Sequence, residues 1–248
     1  DVLGSRGLGD VYKRQMERYS KIIDKDKREI VLLIGNGCKW SKCKFCNYHL
    51  DRNNIEEEQY QINFRALERV TGEFGVLEAI NSGSIFELNE KSFRRLLEVC
   101  KERKIKRLIV ESHYMYKSHI MDLKERCSKL GITLQVKGGV ETFDSEFREK
   151  ILNKGFGYPS LSDLQEVFDI VNLLVGVKGQ TLEQVEDDIK VGMENFDRVC
   201  VNLYKEMEDI MPADEELKRR FMQSIYPTYK DFENIDILVE NTDFGVGE

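Results

Sequence analysis

A regular alternation of apolar strand segments with amphipathic helical segments is the feature that most constrains the fold of this 248-residue chain. Because strands alternating with helices form parallel sheets with right-handed crossovers, the pattern predicts an α/β fold. It is compatible with a doubly wound sheet and with an open barrel. Strands are predicted over 30–34, 76–80, 108–110, 133–141, 170–177 and 198–205, helices over 63–70, 91–101, 118–129, 145–153, 181–195 and 212–225, and a short last strand over 235–240.

Three of the six cysteines lie in one short loop directly after the first predicted strand. Cys38, Cys43 and Cys46 have C-x4-C-x2-C spacing within the run IGNGCKWSKCKFCNY. Three thiolates can hold three irons of a four-iron cluster and leave the fourth iron open. With His49, the same cysteines could instead close a tetrahedral zinc site. Zinc modules are usually short and self-contained, whereas this loop begins a long run of strands and helices, so the pattern favours the cluster.

The cysteine loop and its position resemble those of the radical S-adenosylmethionine (SAM) superfamily, and the resemblance extends over nearly the whole chain from about Arg28. That superfamily usually has C-x3-C-x2-C with an aromatic residue before the last cysteine, here Phe45. One additional residue separates Cys38 from Cys43, which changes the first half of the loop without removing a ligand. The resemblance implies a partial (β/α)6 barrel of the radical SAM type, with Phe45 beside the cofactor.

The resemblance also implies a SAM site at the carboxyl ends of the strands, where catalytic groups of parallel α/β proteins gather. The second strand is followed by Ser82, Gly83 and Ser84. In the superfamily a Gly-Gly-Glu segment at this place binds the amino group of SAM, so we expect these three residues to bind the cofactor. The alternative is a plain turn between a strand and a loop.

Polar residues on the inward faces of later strands are further candidates. The two-residue period of a strand places Lys137 and Glu141 on one face. Lys137 suits the carboxylate of SAM, and Glu141 suits the ribose or the substrate; a buried Lys–Glu pair without a ligand is the alternative. Cofactor binding is also predicted for Glu111 and Asn202. Catalytic roles are predicted for Glu141, Tyr204 and Glu206, and His113 is a weaker candidate.

Three longer segments resemble a small group of radical SAM enzymes whose best-defined members are queuine lyases. They are KCKFCNYHLDRNN, VTGEFGVLEAINSGSIFEL and GGVETFDSEFREKILNKGF. The resemblance implies that a [4Fe-4S] cluster and SAM generate a 5′-deoxyadenosyl radical, and that queuine is cleaved to release the base preQ1. Glu141, Glu206 or Glu240 would bind the secondary ammonium of queuine. The alternatives are an archaeosine-type lyase acting on tRNA, a glycyl-radical activase and a zinc-stabilised binding protein.

Composition limits the partners that this chain can have. It contains 45 acidic and 38 basic residues, and a net charge of −7 disfavours nucleic acid as a partner. We expect a small-molecule substrate, a reducing partner such as flavodoxin or ferredoxin, no membrane span, and a reducing cytoplasm that protects the cluster. Residues 1–15 resemble translated sequencing adapter, so we expect a single domain over residues 16–248.

Overall fold

A curved eight-stranded sheet forms a half-barrel in the computed structural model, which describes residues 17–206, 210–240 and 242–247. The order of the strands in the sheet follows the chain. Strand β1 pairs antiparallel with β2, and all later neighbours are parallel. The strands are β1 Tyr19–Ile22, β2 Arg28–Leu33, β3 Val76–Asn81, β4 Arg107–Ser112, β5 Thr133–Glu141, β6 Ile170–Val175, β7 Arg198–Leu203 and β8 Ile235–Leu238.

Helices connect the parallel strands and cover the outer face of the sheet. Side-chain caps fix where several begin: Asn89 accepts the amide of Ser92 at 2.8 Å, and Thr181 exchanges hydrogen bonds with Gln184. The helices are α1 Glu56–Leu67, α2 Glu90–Glu102, α3 Lys117–Lys129, α4 Leu161–Val167, α5 Leu182–Asn195, α6 Glu215–Ser224 and α7 Tyr226–Tyr229, with a π-helix over Phe147–Ile151 and 3-10 turns over Tyr48–Leu50, Ile85–Glu87 and Tyr114–Tyr116.

The two faces of each strand have different partners. Outward residues such as Val31, Val110, Val171 and Val201 are fully buried against the helices and form one continuous apolar core. Burial of these β-branched apolar side chains supplies the main stabilisation of the sheet. The residues between them point into the barrel, and many of these are polar.

A buried group of charged side chains closes the amino-terminal end of the barrel interior, which we call the floor. Arg28 donates to Glu78 at 2.5 Å and to Asp236 at 3.3 Å. Lys137 pairs with the other oxygen of Glu78. Burial alone would raise the pKa of Glu78, but Lys137 and Arg28 outweigh burial and lower this pKa to about 2. Each charge at the floor therefore has a partner of opposite sign.

The structure confirms the predicted partial barrel and corrects several elements. Strand β1 was not predicted, nor was α4. The first helix begins at Glu56 rather than at residue 63, because the carboxylates of its first turn favour a helix amino terminus. The predicted helix over 145–153 contains the π-helix. No helix in the described ranges is long and apolar enough to cross a membrane, and the prediction for residues 1–15 lies outside the described residues.

Candidate active site

Above the floor, each of strands β2 to β7 has one inward position that is only half-buried, although the residues beside it are packed under helices. Half-exposure of an inward side chain means that solvent reaches it, so these positions line a space open to the barrel mouth. We call them the inner ring: Leu32, Ile80, Glu111, Gly139, Asn172 and Asn202. The ring has apolar side chains on β2 and β3 and polar side chains on β4, β6 and β7, a combination that small-molecule sites commonly show.

The inner ring contains hydrogen-bonding groups with spare capacity. Glu111 has a contact of 3.4 Å with the amide nitrogen of Asn172. Burial raises the pKa of Glu111, although Lys137 opposes that shift. The amide oxygen of Asn172 is buried and has no hydrogen-bond partner among the described residues. Because buried acceptors are usually satisfied, these two groups are suited to the donors of a bound molecule.

The cysteine loop lies across the mouth and is pinned by backbone contacts on both sides. The amide of Lys44 donates to the carbonyl of Leu152 at 2.9 Å, and the carbonyl of Lys44 accepts the amide of Met211 at 3.1 Å. The ring of Phe45 packs in a small apolar cluster with Leu152 and Tyr204. The loop is therefore held by the segment after the π-helix and by the segment after β7.

Segment 152–156 contacts the cysteine loop at three further points. The indole of Trp40 donates to the carbonyl of Asn153 at 2.8 Å, and the amide side chain of Asn153 donates to the carbonyl of Lys42 at 2.8 Å. Gly155 has a φ of +72° and lies so close to the Trp40 ring that a Cβ atom would collide with it. Lys154 points from this segment toward the cysteines.

Lys154 connects the cysteine loop to the end of β5. Its ammonium lies 2.6 Å from Glu141 and 5.4 Å from the centroid of the Phe45 ring. Burial alone would lower the pKa of Lys154, but Glu141 and the nearby thiols of Cys43 and Cys46 raise it. Gly139 leaves the room for this pair, since a Cβ there would lie 2.6 Å from Glu141 and 2.7 Å from Lys154.

Glu141 is held in an uncommon backbone conformation. Its φ is +67°, in the left-handed region, and the pairing of β5 with β6 shifts register between Gly139 and Glu141. A non-glycine residue in this region is usually fixed by its surroundings and is often found at functional sites. Here the shift directs the Glu141 carboxylate toward Lys154 at the mouth.

His113 supports Lys154 through its main chain. The ring nitrogen Nδ1 accepts the amide of Met115 at 3.1 Å, so Nε2 carries the proton and donates to the carbonyl of Lys154 at 2.8 Å. Burial, with the nearby ammonium of Lys154, lowers the pKa of His113 to about 4. The ring is therefore neutral and acts as a fixed support.

The turn after β3 lies directly against the first cysteine. A Cβ at Gly83 would lie 3.0 Å from the Cα of Cys38. Ser82 bonds Asp51, and the hydroxyl of Ser84 lies 2.9 Å from that of Ser112. Glu87, which sequence reasoning missed, accepts the amides of Ser84 and Lys39, both at 2.7 Å. This turn and the cysteine loop are thus joined through one carboxylate.

The remaining predicted residues have different surroundings. Asn202 belongs to the inner ring, as predicted from the period of β7. Lys137 faces the interior but its ammonium contacts Glu78 at the floor, so binding SAM would require it to leave or share that partner. The hydroxyl of Tyr204 donates to the carbonyl of Met211 at 2.6 Å. Glu206 is exposed and accepts the amide of Ala213 at 2.7 Å.

The three thiols are half-buried and free. Burial raises the pKa of Cys43 to about 12, against the opposing effect of Lys154. Within the described ranges, no three His, Cys, Asp or Glu side chains converge at the spacing of a single metal ion. Thiolates on three different irons of a cluster stand farther apart than the ligands of one zinc ion. The three thiols come from one loop that backbone contacts fix on both sides, and three thiolates are the donor set of a four-iron cluster with one open iron.

A solved structure of a queuine lyase from Clostridium spiroforme, bound to SAM and queuine, is 43% identical to this chain; the match covers 94% of this chain and 100% of that one with a TM-score of 0.89. This chain belongs to the queuine lyase family of radical SAM enzymes. QueE from Escherichia coli matches with 10% identity over 91% and 93% of the two chains and a TM-score of 0.45, too low to support an argument. Neither protein-family profiles nor curated proteins match.

Membership of this family confirms both resemblances, that of the cysteine loop to radical SAM enzymes and that of the three longer segments to queuine lyases. It does not by itself assign roles to single residues. Sequence reasoning missed Trp40, Lys154 and Asn172, each of which lies at the mouth or in the inner ring. The available signal was position: Lys154 follows a short helix and precedes a glycine, within a segment already matched to the family.

Proposed function

We propose that this protein is a queuine lyase, which binds a [4Fe-4S] cluster and SAM and converts queuine to preQ1. The observation that carries the proposal is the 43% identity, over the full length of the other chain, to a queuine lyase whose structure contains SAM and queuine. The cysteine loop at the mouth and the solvent-accessible inner ring below it agree with that assignment.

Cys38, Cys43 and Cys46 would hold the cluster through three thiolates. Bound there with SAM, the cluster would supply one electron that cleaves SAM and yields the 5′-deoxyadenosyl radical. Lys154 places a positive charge beside these thiolates, and Phe45 shields them from solvent within its apolar cluster. The charge of Lys154 favours anionic thiolates, whereas the burial to which Phe45 contributes opposes them.

The SAM site is assigned to the residues between the cysteine loop and the inner ring. The Ser82-Gly83-Ser84 turn lies against Cys38, and its lack of a side chain at Gly83 allows close approach. Asn202 offers a polar group from β7, and Glu111 offers an acceptor from β4. Lys137 can bind the SAM carboxylate only if its ammonium is shared between that carboxylate and Glu78.

Queuine carries a secondary ammonium, a diol and the donors of its base. Glu111 and Asn172 supply acceptors with spare capacity inside the barrel, and Glu141 supplies a carboxylate at its rim. Glu206 and Glu240 are exposed, and each has a partner on the surface. We therefore assign the substrate ammonium to Glu111 or Glu141 rather than to the other two carboxylates. Of the three predicted catalytic residues, this retains Glu141; Tyr204 and Glu206 support the loop after β7.

The test is liquid chromatography of the products after anaerobic incubation of reconstituted protein with SAM and a chemical reductant. One sample contains free queuine and another contains tRNA with the modified base. Release of preQ1 from the free base supports the proposal. If the tRNA is altered while queuine stays intact, the queuine lyase proposal is wrong and the protein is instead an archaeosine-type lyase. We further propose that the enzyme works in the reducing cytoplasm, with flavodoxin or ferredoxin as its electron donor.

A further inference from the structure

The outer side of the cysteine loop carries a basic patch that the proposed chemistry does not use. Lys39, Lys42 and Lys44 are all exposed, and they alternate with the cysteines along the loop. None of these three ammonium groups pairs with a carboxylate in the part of the chain that the structure describes. We call these three lysines the loop patch.

The loop patch lies in a stretch with an unusual charge distribution. Residues 30–50 contain three lysines and no acidic residue, although 45 of the 248 residues are acidic. At that frequency, a segment of this length would carry about four carboxylates. A protein of net charge −7 thus presents a local positive surface where its cysteine loop meets solvent. Such a surface attracts negatively charged partners.

The two sides of the loop face different environments. On the inner side, Cys43 and Cys46 lie near the buried pair of Lys154 and Glu141. On the outer side, the Lys44 ammonium lies 3.3 Å from the carbonyl of Lys150, and the neighbouring Ile151 is 41% exposed. A partner bound to the loop patch would therefore contact the cysteine loop on its solvent-exposed side.

We propose that the loop patch is the docking surface for a small, acidic one-electron carrier protein that contains a flavin or an iron–sulfur centre. The inference rests on the proposed function, because a cluster on Cys38, Cys43 and Cys46 must receive an electron from outside. In that step the carrier loses one electron and the cluster gains one, with no bond made or broken. Three lysines beside one apolar side chain suit the small, polar interface of a transient electron-transfer complex.

Nucleic acid is the other class of polyanion that a basic patch can bind. Three lysines are few for that purpose, and no arginine or exposed aromatic side chain lies between them. RNA-binding faces combine broader positive charge with aromatic stacking platforms. The charge of the whole chain also opposes a long polyanion more than a small acidic protein.

The experiment compares wild type with the triple variant K39Q/K42Q/K44Q, using a purified flavodoxin of strongly negative net charge as the probe. The matched control is K101Q/K104Q/K106Q, which removes three exposed lysines just before the amino end of β4, at the opposite end of the barrel. The affinities for flavodoxin and, separately, for tRNA are measured by calorimetry at low and at physiological ionic strength. The 5′-deoxyadenosine yield is measured with reduced flavodoxin and, separately, with dithionite.

The loop variant should bind flavodoxin at least tenfold more weakly at low salt and lose most of the flavodoxin-driven yield. It should keep the iron content and the dithionite-driven yield of wild type, while the control variant behaves as wild type. Equal affinity of the loop variant and wild type would overturn the proposal, as would an equal loss in the control or binding of tRNA alone. If wild type with dithionite cleaves no SAM, it is the proposed function that fails.

Discussion

Lys154 is the single side chain on which most contacts of the candidate site converge. It bonds Glu141, lies over the ring of Phe45, and extends from a segment that also contacts Trp40. Its charge is maintained because Glu141 and the adjacent thiols outweigh the effect of burial on its pKa. A buried cation at this place favours negative charge on the cysteine loop.

The first prediction concerns the charge of Lys154. In reconstituted Lys154→Gln, we expect the midpoint potential of the cluster to fall by roughly 30 to 60 mV, since 59 mV is a tenfold change for one electron. The physical reason is the loss of a cation that stabilises the more negative, reduced cluster. A redox titration followed by electron paramagnetic resonance measures the shift.

The matched control for this prediction is Lys150→Gln, which removes an exposed lysine that pairs with Glu146. Its potential should equal that of wild type. An unchanged potential in Lys154→Gln at full iron loading would contradict the electrostatic role assigned to Lys154.

Asp188 is a second single residue that supports the site, because it fixes the chain just after Glu141. It accepts the amide of Phe143 at 2.7 Å from helix α5. Burial raises the pKa of Asp188 to about 6, against the hydrogen bonds from Phe143 and Thr142. The folded state therefore binds a proton that the unfolded state has released between about pH 4 and pH 6. Stability is lost as the pH rises through that window.

The second prediction follows from this titration. The stability gain of Asp188→Asn over wild type should be about 1 to 2 kcal/mol larger at pH 7.5 than at pH 4.5. The amide keeps an acceptor for Phe143 but does not ionise. Urea unfolding at the two pH values tests the difference, with Asp187→Asn as the exposed control. A gain independent of pH would show that Asp188 is not the titrating group.

At the scale of elements, the strands are held together at the floor by charges as well as by the apolar core. Arg28 of β2 joins Glu78 of β3 and Asp236 of β8, and Lys137 of β5 joins Glu78. The group links strands that are not neighbours in the sheet. Removing one member leaves a buried charge without its partner, which costs more than the net value of the pair.

The third prediction compares two ion pairs in different surroundings. Arg28→Met should lower the free energy of unfolding by about 3 kcal/mol, because Glu78 and Asp236 lose a buried partner. Arg94→Met, which breaks an exposed pair with Glu90, should lower it by about 0.5 kcal/mol or less. Chemical denaturation measures both. Similar losses in the two variants would contradict the structural role of the floor.

Sequence periodicity predicted the strand elements that local patterns determine. Strand β5 has its predicted bounds, and α5 agrees with the helix predicted over 181–195 to within one residue. Strand β1 was missed because four residues with little alternation become a strand only by pairing with β2. Helix α1 begins before its predicted start at residue 63, because Glu56, Glu57 and Glu58 form its first turn with exposed carboxylates that do not belong to the amphipathic pattern.

For the site, the sequence predicted where several residues lie but not which side chains they contact. The period of two placed Glu111, Lys137 and Asn202 in the barrel interior, where the structure has them. It could not identify the partner that each side chain meets, because Glu78 and Lys154 reach the predicted residues from other parts of the chain. Lys137 was considered beside Glu141, whereas Glu141 pairs with Lys154. Partner choice depends on tertiary packing that a single strand does not encode.

At the scale of the whole molecule, the barrel separates stability from chemistry along its axis. The floor pairs its buried charges, the inner ring leaves acceptors with spare capacity, and the mouth carries the cysteine loop. Beyond the sheet, Lys25 of the β1–β2 turn donates to the carbonyls of Lys230 and Ile235, tying the first hairpin to the last strand. One rigid base thus supports a mouth built from loops, as in other α/β barrels.

The most direct measurement of the central claim is preQ1 release from queuine by three anaerobically reconstituted proteins: wild type, Cys43→Ser and Cys127→Ser. Cys43 lies in the cysteine loop, whereas Cys127 is buried on helix α3 in the core outside the barrel. Wild type and Cys127→Ser should contain about four irons per chain and release preQ1 with 5′-deoxyadenosine, while Cys43→Ser should lose both products. If fully iron-loaded wild type forms 5′-deoxyadenosine but leaves queuine unchanged, or if Cys43→Ser still releases preQ1, the account is wrong.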